Sequence, residues 1–147
     1  MDHHQEVTIL LVEDDPGHAR LIEKNLRRAA VFNRIITLDN GQKAVDFLFK
    51  QGDFVDDTTP VPLLVLLDLN MPVLDGYQVL QRIKADDRTR KVPVVILTTT
   101  DNSNEIVKCY DLGCNVYVTK PVDYDQFSEA IRQLGLFLSI VKVPDEA

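Results

Sequence analysis

Four places in this chain carry groups able to act on an anion. They are the acid run Glu13, Asp14 and Asp15, the acid Asp68, the hydroxyl of Thr98 and the ammonium of Lys120. Carboxylates brought together repel unless one takes a proton or a cation sits between them. Two carboxylates with a backbone carbonyl and waters suit a hard, oxygen-seeking ion such as Mg2+. That ion lets an anionic phosphoryl group approach a carboxylate nucleophile. A threonine hydroxyl and a lysine ammonium can then satisfy the phosphoryl oxygens. The chemistry indicated is capture of a phosphoryl group on Asp68, which needs positioning and charge neutralisation more than many catalytic groups.

Each residue taken alone has a plainer reading. An aspartate at a strand end is commonly a cap or turn residue, a threonine there a turn, and Lys-Pro a surface loop. Asp14 or Asp15 could simply cap the helix that Pro16 opens. The joint placement decides, and that depends on the elements that carry the residues.

VTILLV (7–12) reads as a strand too continuously apolar to have an exposed face. A helix follows from Pro16, with Ala19, Ile22, Leu26 and Ala29 on its apolar side and Arg20, Glu23, Lys24 and Arg27 opposite. RIITL (34–38) is a second strand, and Gly41 to Lys50 a helix with Ala44, Val45 and Leu48 inward. QGDFVDDTTPVP (51–62) is a loop, long enough to be mobile or used in docking. LLVLLD is the third strand, ending in Asp68, with a helix from Gly76 to about Ala85 that turns Val79, Leu80 and Ile83 inward. DDRTRKVP (86–93) is a polar connection, VVILT (94–98) a fourth strand and VYVT (116–119) a fifth. Ser103 or Asn104 caps the helix between those two and Gly113 ends it. A last helix starts at Asp123, carrying Phe127, Ile131 and Leu134.

Five strands alternating with five helices predict a doubly wound, flavodoxin-like α/β fold with parallel strand order 2-1-3-4-5. In such a sheet ligands bind beyond the C-terminal strand ends, near the switch in winding direction. Glu13–Asp15, Asp68, Thr98 and Lys120 all fall at such ends.

The bulk properties agree. The chain has 147 residues, 45% of them hydrophobic, which suits one domain. A net charge of -7 disfavours nucleic acid and anionic membranes, both of which need a basic face. With no spanning-length apolar run and no signal peptide, a cytoplasmic protein is expected. Cys109 and Cys114 fit a reduced compartment. His3 and His4 read as a solvated terminus, a metal role for the pair being the less favoured reading.

The motifs ILLVEDDP (9–16), LLDLNMPVLDG (66–76), VVILTTT (94–100) and VTKP (118–121) resemble the receiver domain of two-component response regulators, over nearly the whole chain. The resemblance implies that Asp68 accepts phosphate from a sensor histidine kinase. It implies Mg2+ held by Asp14, Asp68 and the Asn70 carbonyl, with Glu13 reaching it through water. It makes Thr98 and Lys120 the conserved-type hydroxyl and lysine, with a cis bond before Pro121. Tyr117 matches the family's switch aromatic, following Thr98 inward on phosphorylation; it also reads as a half-buried strand tyrosine, and both can hold. Thr100 lies where receivers tune water access.

The loop at 51–62 and the apolar tail GLFLSIVKVP are similar to those of stand-alone regulators that pair with phytochromes. A single receiver domain over 1–147 is implied, with a flexible stretch at 1–6 and an extended helix and tail at 135–147. Phe137, Leu138, Ile140 and Val141 are too apolar for water, so a homodimer across the last-helix face is expected, packing back onto the domain being the alternative. Three rival functions remain. An Mg2+-dependent phosphohydrolase would want an acid where Asn70 stands. A flavodoxin-like binder would want a phosphate loop where the acids 13–15 would repel one. A degenerate receiver would not keep Asp14, Asp68, Thr98 and Lys120 together.

Overall fold

The computed structural model describes residues 8–58, 63–99 and 102–120, together with Asp125, Gln126, Glu129, Arg132 and Gln133, which are helical. Its elements run β1 (Thr8–Val12), α1 (Pro16–Arg28), β2 (Ile35–Leu38), α2 (Gly41–Leu48), β3 (Leu63–Leu67), α3 (Gly76–Ala85), β4 (Val94–Thr98), α4 (Ser103–Leu112) and β5 (Val116–Thr119). All strand pairs are parallel, in the order β2-β1-β3-β4-β5. That is the doubly wound layout the alternating pattern predicts. The expected fifth helix is represented by the helical residues just named. Asp123, Phe127, Ile131, Leu134, Thr100, Pro121, His3, His4 and the tail positions Phe137, Leu138, Ile140 and Val141 lie outside the described residues.

The period-two geometry of the strands divides the core in two. Leu10, Val12, Val65, Leu67, Val94 and Ile96 face one side, packed under α2, α3 and α4. Ile9, Leu11, Leu64, Leu66, Val95 and Leu97 face the other, packed under Ala19, Ile22 and Leu26 of α1. Burial of each large aliphatic side chain contributes about 1.5–3 kcal/mol, so both faces hold the sheet rigid. The central strands β1 and β4 are buried throughout, whereas the edge strand β2 is not.

Local caps set where the helices begin. Asp15 caps α1, accepting from the backbone N–H of Gly17 at 2.8 Å and of His18 at 3.1 Å. Asp75 and Gln78 form a reciprocal capping box on α3. Asn102, one residue ahead of the expected Ser103 or Asn104, caps α4 through the Asn104 N–H at 2.9 Å. Gly113 ends α4 in the left-handed region. α2 stops at Leu48, short of the Lys50 expected, because Lys50 itself turns to a φ of 54°. Residues 51–58 are less loop-like than their composition suggests. A 3-10 turn at Gly52–Phe54 packs Phe54 edge-on to Phe47, with ring centroids 5.4 Å apart.

Gly76 is required by a close approach. A Cβ there would lie 2.3 Å from the Asp68 carbonyl oxygen and 2.7 Å from the Leu69 Cα. The start of α3 therefore rests directly on the backbone that carries Asp68. At the end of α1, Ala30 sits at a φ of 63° in a Schellman motif, its own N–H reaching Arg27 O and the Val31 N–H reaching Leu26 O, both at 3.0 Å.

These two sites give opposite expectations. Gly76→Ala should lower stability by about 1–3 kcal/mol in urea unfolding, by overpacking against backbone. Ala30→Gly should raise it by about 1 kcal/mol, by relieving left-handed strain. A neutral Gly76→Ala would show that the contact gives way without cost.

Candidate phosphoacceptor and metal site

The ladder bonds of the sheet run one residue past each strand end, and those extra bonds pin the chemistry. The Glu13 N–H reaches Leu38 O at 3.0 Å, the Asp68 N–H reaches Val12 O at 3.1 Å and the Lys120 N–H reaches Thr98 O at 2.6 Å. Neighbouring strands thus hold Glu13, Asp68, Thr98 and Lys120 at one edge, and Asp14 follows on the loop. The sequence places these residues at strand ends; the register brings them side by side.

Charge is packed densely there. Glu13, Asp68 and Lys120 are all buried, while Asp14 is exposed at the mouth. The Lys120 Nζ is ion-paired to Glu13 Oε1 and lies 3.4 Å from Asp68 Oδ2. A buried ammonium of this kind is tolerable only when its donors find acceptors. The pairing of Lys120 with Glu13 is absent from the sequence reading, in which Glu13 serves the metal alone. Burial pushes the Glu13 carboxyl up to about 7, against the pull of Lys120, and the nearby Asp68 carboxylate adds to the rise.

Carboxylate oxygens of Glu13, Asp14 and Asp68 lie within 4.8 Å of one another. All three are hard oxygen donors, and the exposed Asp14 leaves room for water. The set therefore fits a divalent ion of the Mg2+ or Mn2+ type, which keeps part of its hydration shell. Asn70, on the exposed turn that follows, donates its N–H to Asp68 Oδ1 at 3.2 Å. That bond folds the turn back over the acid.

Thr98 is wholly buried, and its Oγ1 makes no hydrogen bond. A buried hydroxyl without a partner costs about 1–3 kcal/mol, so it marks a place where an oxygen acceptor is missing. Tyr117 is half-buried, as its strand position suggests, and its N–H reaches the Tyr110 hydroxyl at 3.1 Å. The register sets Tyr117 opposite Ile96 and Thr119 opposite Thr98, so Thr98 and Tyr117 share one face of the sheet, one pleat apart.

No sequence motif marks His18 as part of the site. It is half-exposed on the first turn of α1, with Nδ1 3.4 Å from Lys120 Nζ. Only the α1 cap and the depth of Lys120 bring the two together, across most of the chain's length.

The family model for the response regulator receiver domain matches residues 9–132. The chain belongs to the response regulator receiver family. A receiver domain from Rhodospirillum rubrum superposes with a TM-score of 0.88 at 54% identity, covering 95% of this chain and 98% of that one. Response regulator Rcp1 of Synechocystis sp. is 36% identical over 137 residues, 92% of each chain. A Mn2+-bound structure of Rcp1 superposes with a TM-score of 0.87 at 34% identity, covering 94% of this chain and 99% of that one. The phosphorylated cyanobacterial phytochrome response regulator RcpA superposes with a TM-score of 0.86 at 34% identity, covering 96% and 100%. The resemblance read from the four motifs, including the phytochrome-linked group, therefore stands. Receivers are signalling modules that work with histidine kinases and bind divalent metal, which displaces the phosphohydrolase and flavodoxin readings. No helix among the described residues is long and apolar enough to cross a membrane.

The Glu13 shift has a pH consequence. Its carboxyl titrates near 4.5 when unfolded and higher when folded, so the folded form binds the extra proton. The stability this contributes is full below about 4.5 and lost as pH rises through about 7. Urea midpoints in chelator should fall across that window more steeply for the wild type than for Glu13→Gln. Parallel curves would place the buried proton elsewhere.

Proposed function

We propose that this protein is a phosphorylation-controlled signalling module whose Asp68 receives a phosphoryl group from a sensor histidine kinase. The observation that carries this is the partnerless buried hydroxyl of Thr98 at the same sheet edge as Asp68, with Lys120 bonded through its N–H to Thr98 O and its ammonium 3.4 Å from Asp68. An Asp68 oxygen attacks the phosphorus of a phosphohistidine; the new P–O bond forms as the P–N bond breaks, and the imidazole leaves to take up a proton. The Thr98 hydroxyl then donates to a phosphoryl oxygen, which gives it the acceptor it lacks. The Lys120 ammonium moves from the carboxylates to a second phosphoryl oxygen. Asp14, Asp68 and the Asn70 carbonyl would hold Mg2+, with Glu13 reaching it through water, and the ion would supply the positive charge that lets two anions meet. The acidic set alone also fits Mn2+, and Mg2+ is the choice for a site that keeps its waters.

Output follows from the shared face of Thr98 and Tyr117. As Thr98 turns toward the phosphoryl group it vacates space one pleat from the tyrosine ring, and Tyr117 moves inward. That changes the surface formed by α4 and β5, where Val107 and Tyr110 are already exposed. The tie of the Tyr117 N–H to Tyr110 carries the movement to α4.

The kinase is proposed to be a phytochrome, in keeping with the likeness to RcpA, a cyanobacterial phytochrome response regulator. A cytoplasmic, single-domain protein that binds neither nucleic acid nor membrane is in keeping with its charge of -7. Phe137, Leu138, Ile140 and Val141 are proposed to form a homodimer across the last-helix face.

Incubation with a small phosphodonor and Mg2+ should add one phosphoryl mass to the wild type and none to Asp68→Asn, with the gain lost in chelator. A mass gain that persists in Asp68→Asn would overturn the assignment. Tyr117→Ala should still be phosphorylated but lose the difference in partner affinity between the two states. Sedimentation should show a dimer; a monomer at high micromolar concentration, phosphorylated or not, would remove the proposed interface.

A further inference from the structure

An ammonium has three N–H donors and no acceptor. In this site the Lys120 Nζ meets three acceptors from three elements: Glu13 Oε1 after β1, Asp68 Oδ2 after β3 at 3.4 Å, and His18 Nδ1 on α1 at 3.4 Å. Because Lys120 can only donate, Nδ1 must be the accepting nitrogen of the His18 ring in this contact. Glu13 Oε1 and Asp15 Oδ2 lie 3.9 and 4.0 Å from the same nitrogen, beyond hydrogen-bonding reach. The Glu13 contact is tight and the other two are long. Lys120 is therefore anchored on one side and drawn toward two more distant acceptors.

The three acceptors differ in what happens to them. Glu13 and Asp68 belong to the proposed divalent site, and Asp68 is the group consumed. His18 is neither. Its ring is half-exposed at the mouth, and its backbone N–H is fixed by the Asp15 cap. We infer that His18 is a positioning residue for Lys120, offering a third acceptor beside the two carboxylates that keeps the ammonium facing the incoming phosphoryl group. Without it the ammonium is held by the two carboxylates alone, with nothing at the mouth to orient it, and it reaches a phosphoryl oxygen less readily. This rests on the phosphoacceptor reading of Asp68.

The shape of the acceptor supplies the test. Asparagine places its Oδ1 close to where a histidine places Nδ1, whereas leucine keeps bulk without any acceptor. With saturating Mg2+ and a small phosphodonor, His18→Leu should slow phosphorylation of Asp68 roughly tenfold, the scale of one hydrogen bond to a charged group. His18→Asn should restore most of the rate. The Lys120 ammonium protons give a readout that needs no phosphorylation. In NMR of the unphosphorylated protein they should exchange with water faster in His18→Leu than in the wild type or His18→Asn. Urea midpoints of the three proteins identify any loss that is merely structural.

Equal rates and equal ammonium exchange in all three would overturn the role of His18 and leave Asp68 as the acceptor. Leucine and asparagine variants slowed alike would also overturn it, since packing and not an acceptor would then be at work. A wild-type chain that takes up no phosphoryl group would remove the phosphoacceptor reading itself, and the role of His18 with it.

Discussion

The buried ammonium of Lys120 holds two carboxylates at the C-terminal rim of the sheet, and a third stands just outside. Like charges so close would drive the rim apart or take up protons. Lys120 offsets part of that repulsion; burial still raises the Glu13 carboxyl against the pull of Lys120, and the Asp68 carboxylate adds to the rise. A site in this condition attracts a divalent cation and, through it, an anion.

The scaffold has to resist that repulsion, and its packing shows how. Two cores clamp the sheet from both faces, so the strand ends cannot drift. Glu13, Asp68 and Lys120 are each held by one more ladder bond beyond the strand. Gly76 lets α3 begin against the carbonyl of Asp68, leaving no slack behind that residue.

The tie between site and surface is geometric. Thr98 and Tyr117 share one face because β4 and β5 are parallel with Thr98 opposite Thr119. A shift of one residue in that register would send Tyr117 to the opposite face, away from Thr98. The bond from the Tyr117 N–H to Tyr110 then joins β5 to α4, and the hydroxyl of Tyr77 joins α3 to Glu105 of α4. The face that carries Thr98 and Tyr117 is thus bonded to α4, whose Val107 and Tyr110 are exposed.

Much of this could be read from residue order, because strand hydrophobicity, Pro16, Gly113 and the acid after each strand act locally. The strand order and the identities of Asp14, Asp68, Thr98 and Lys120 followed from those local signals and from four short motifs. Caps were harder: Asn102, Ser103 and Asn104 all have the chemistry, and backbone geometry chooses among them. The packing of Phe54 on Phe47 inside an acidic, turn-rich stretch was invisible for a similar reason, since composition averages over it. Contacts across the chain were out of reach altogether. Nothing near His18 or Glu13 announces Lys120, because a hydrogen bond depends on distance in space and these partners are joined by the folding of the whole sheet. The linear chain thus specified which groups could do the chemistry, and the folded arrangement settled which of them share a proton, an ammonium or a face.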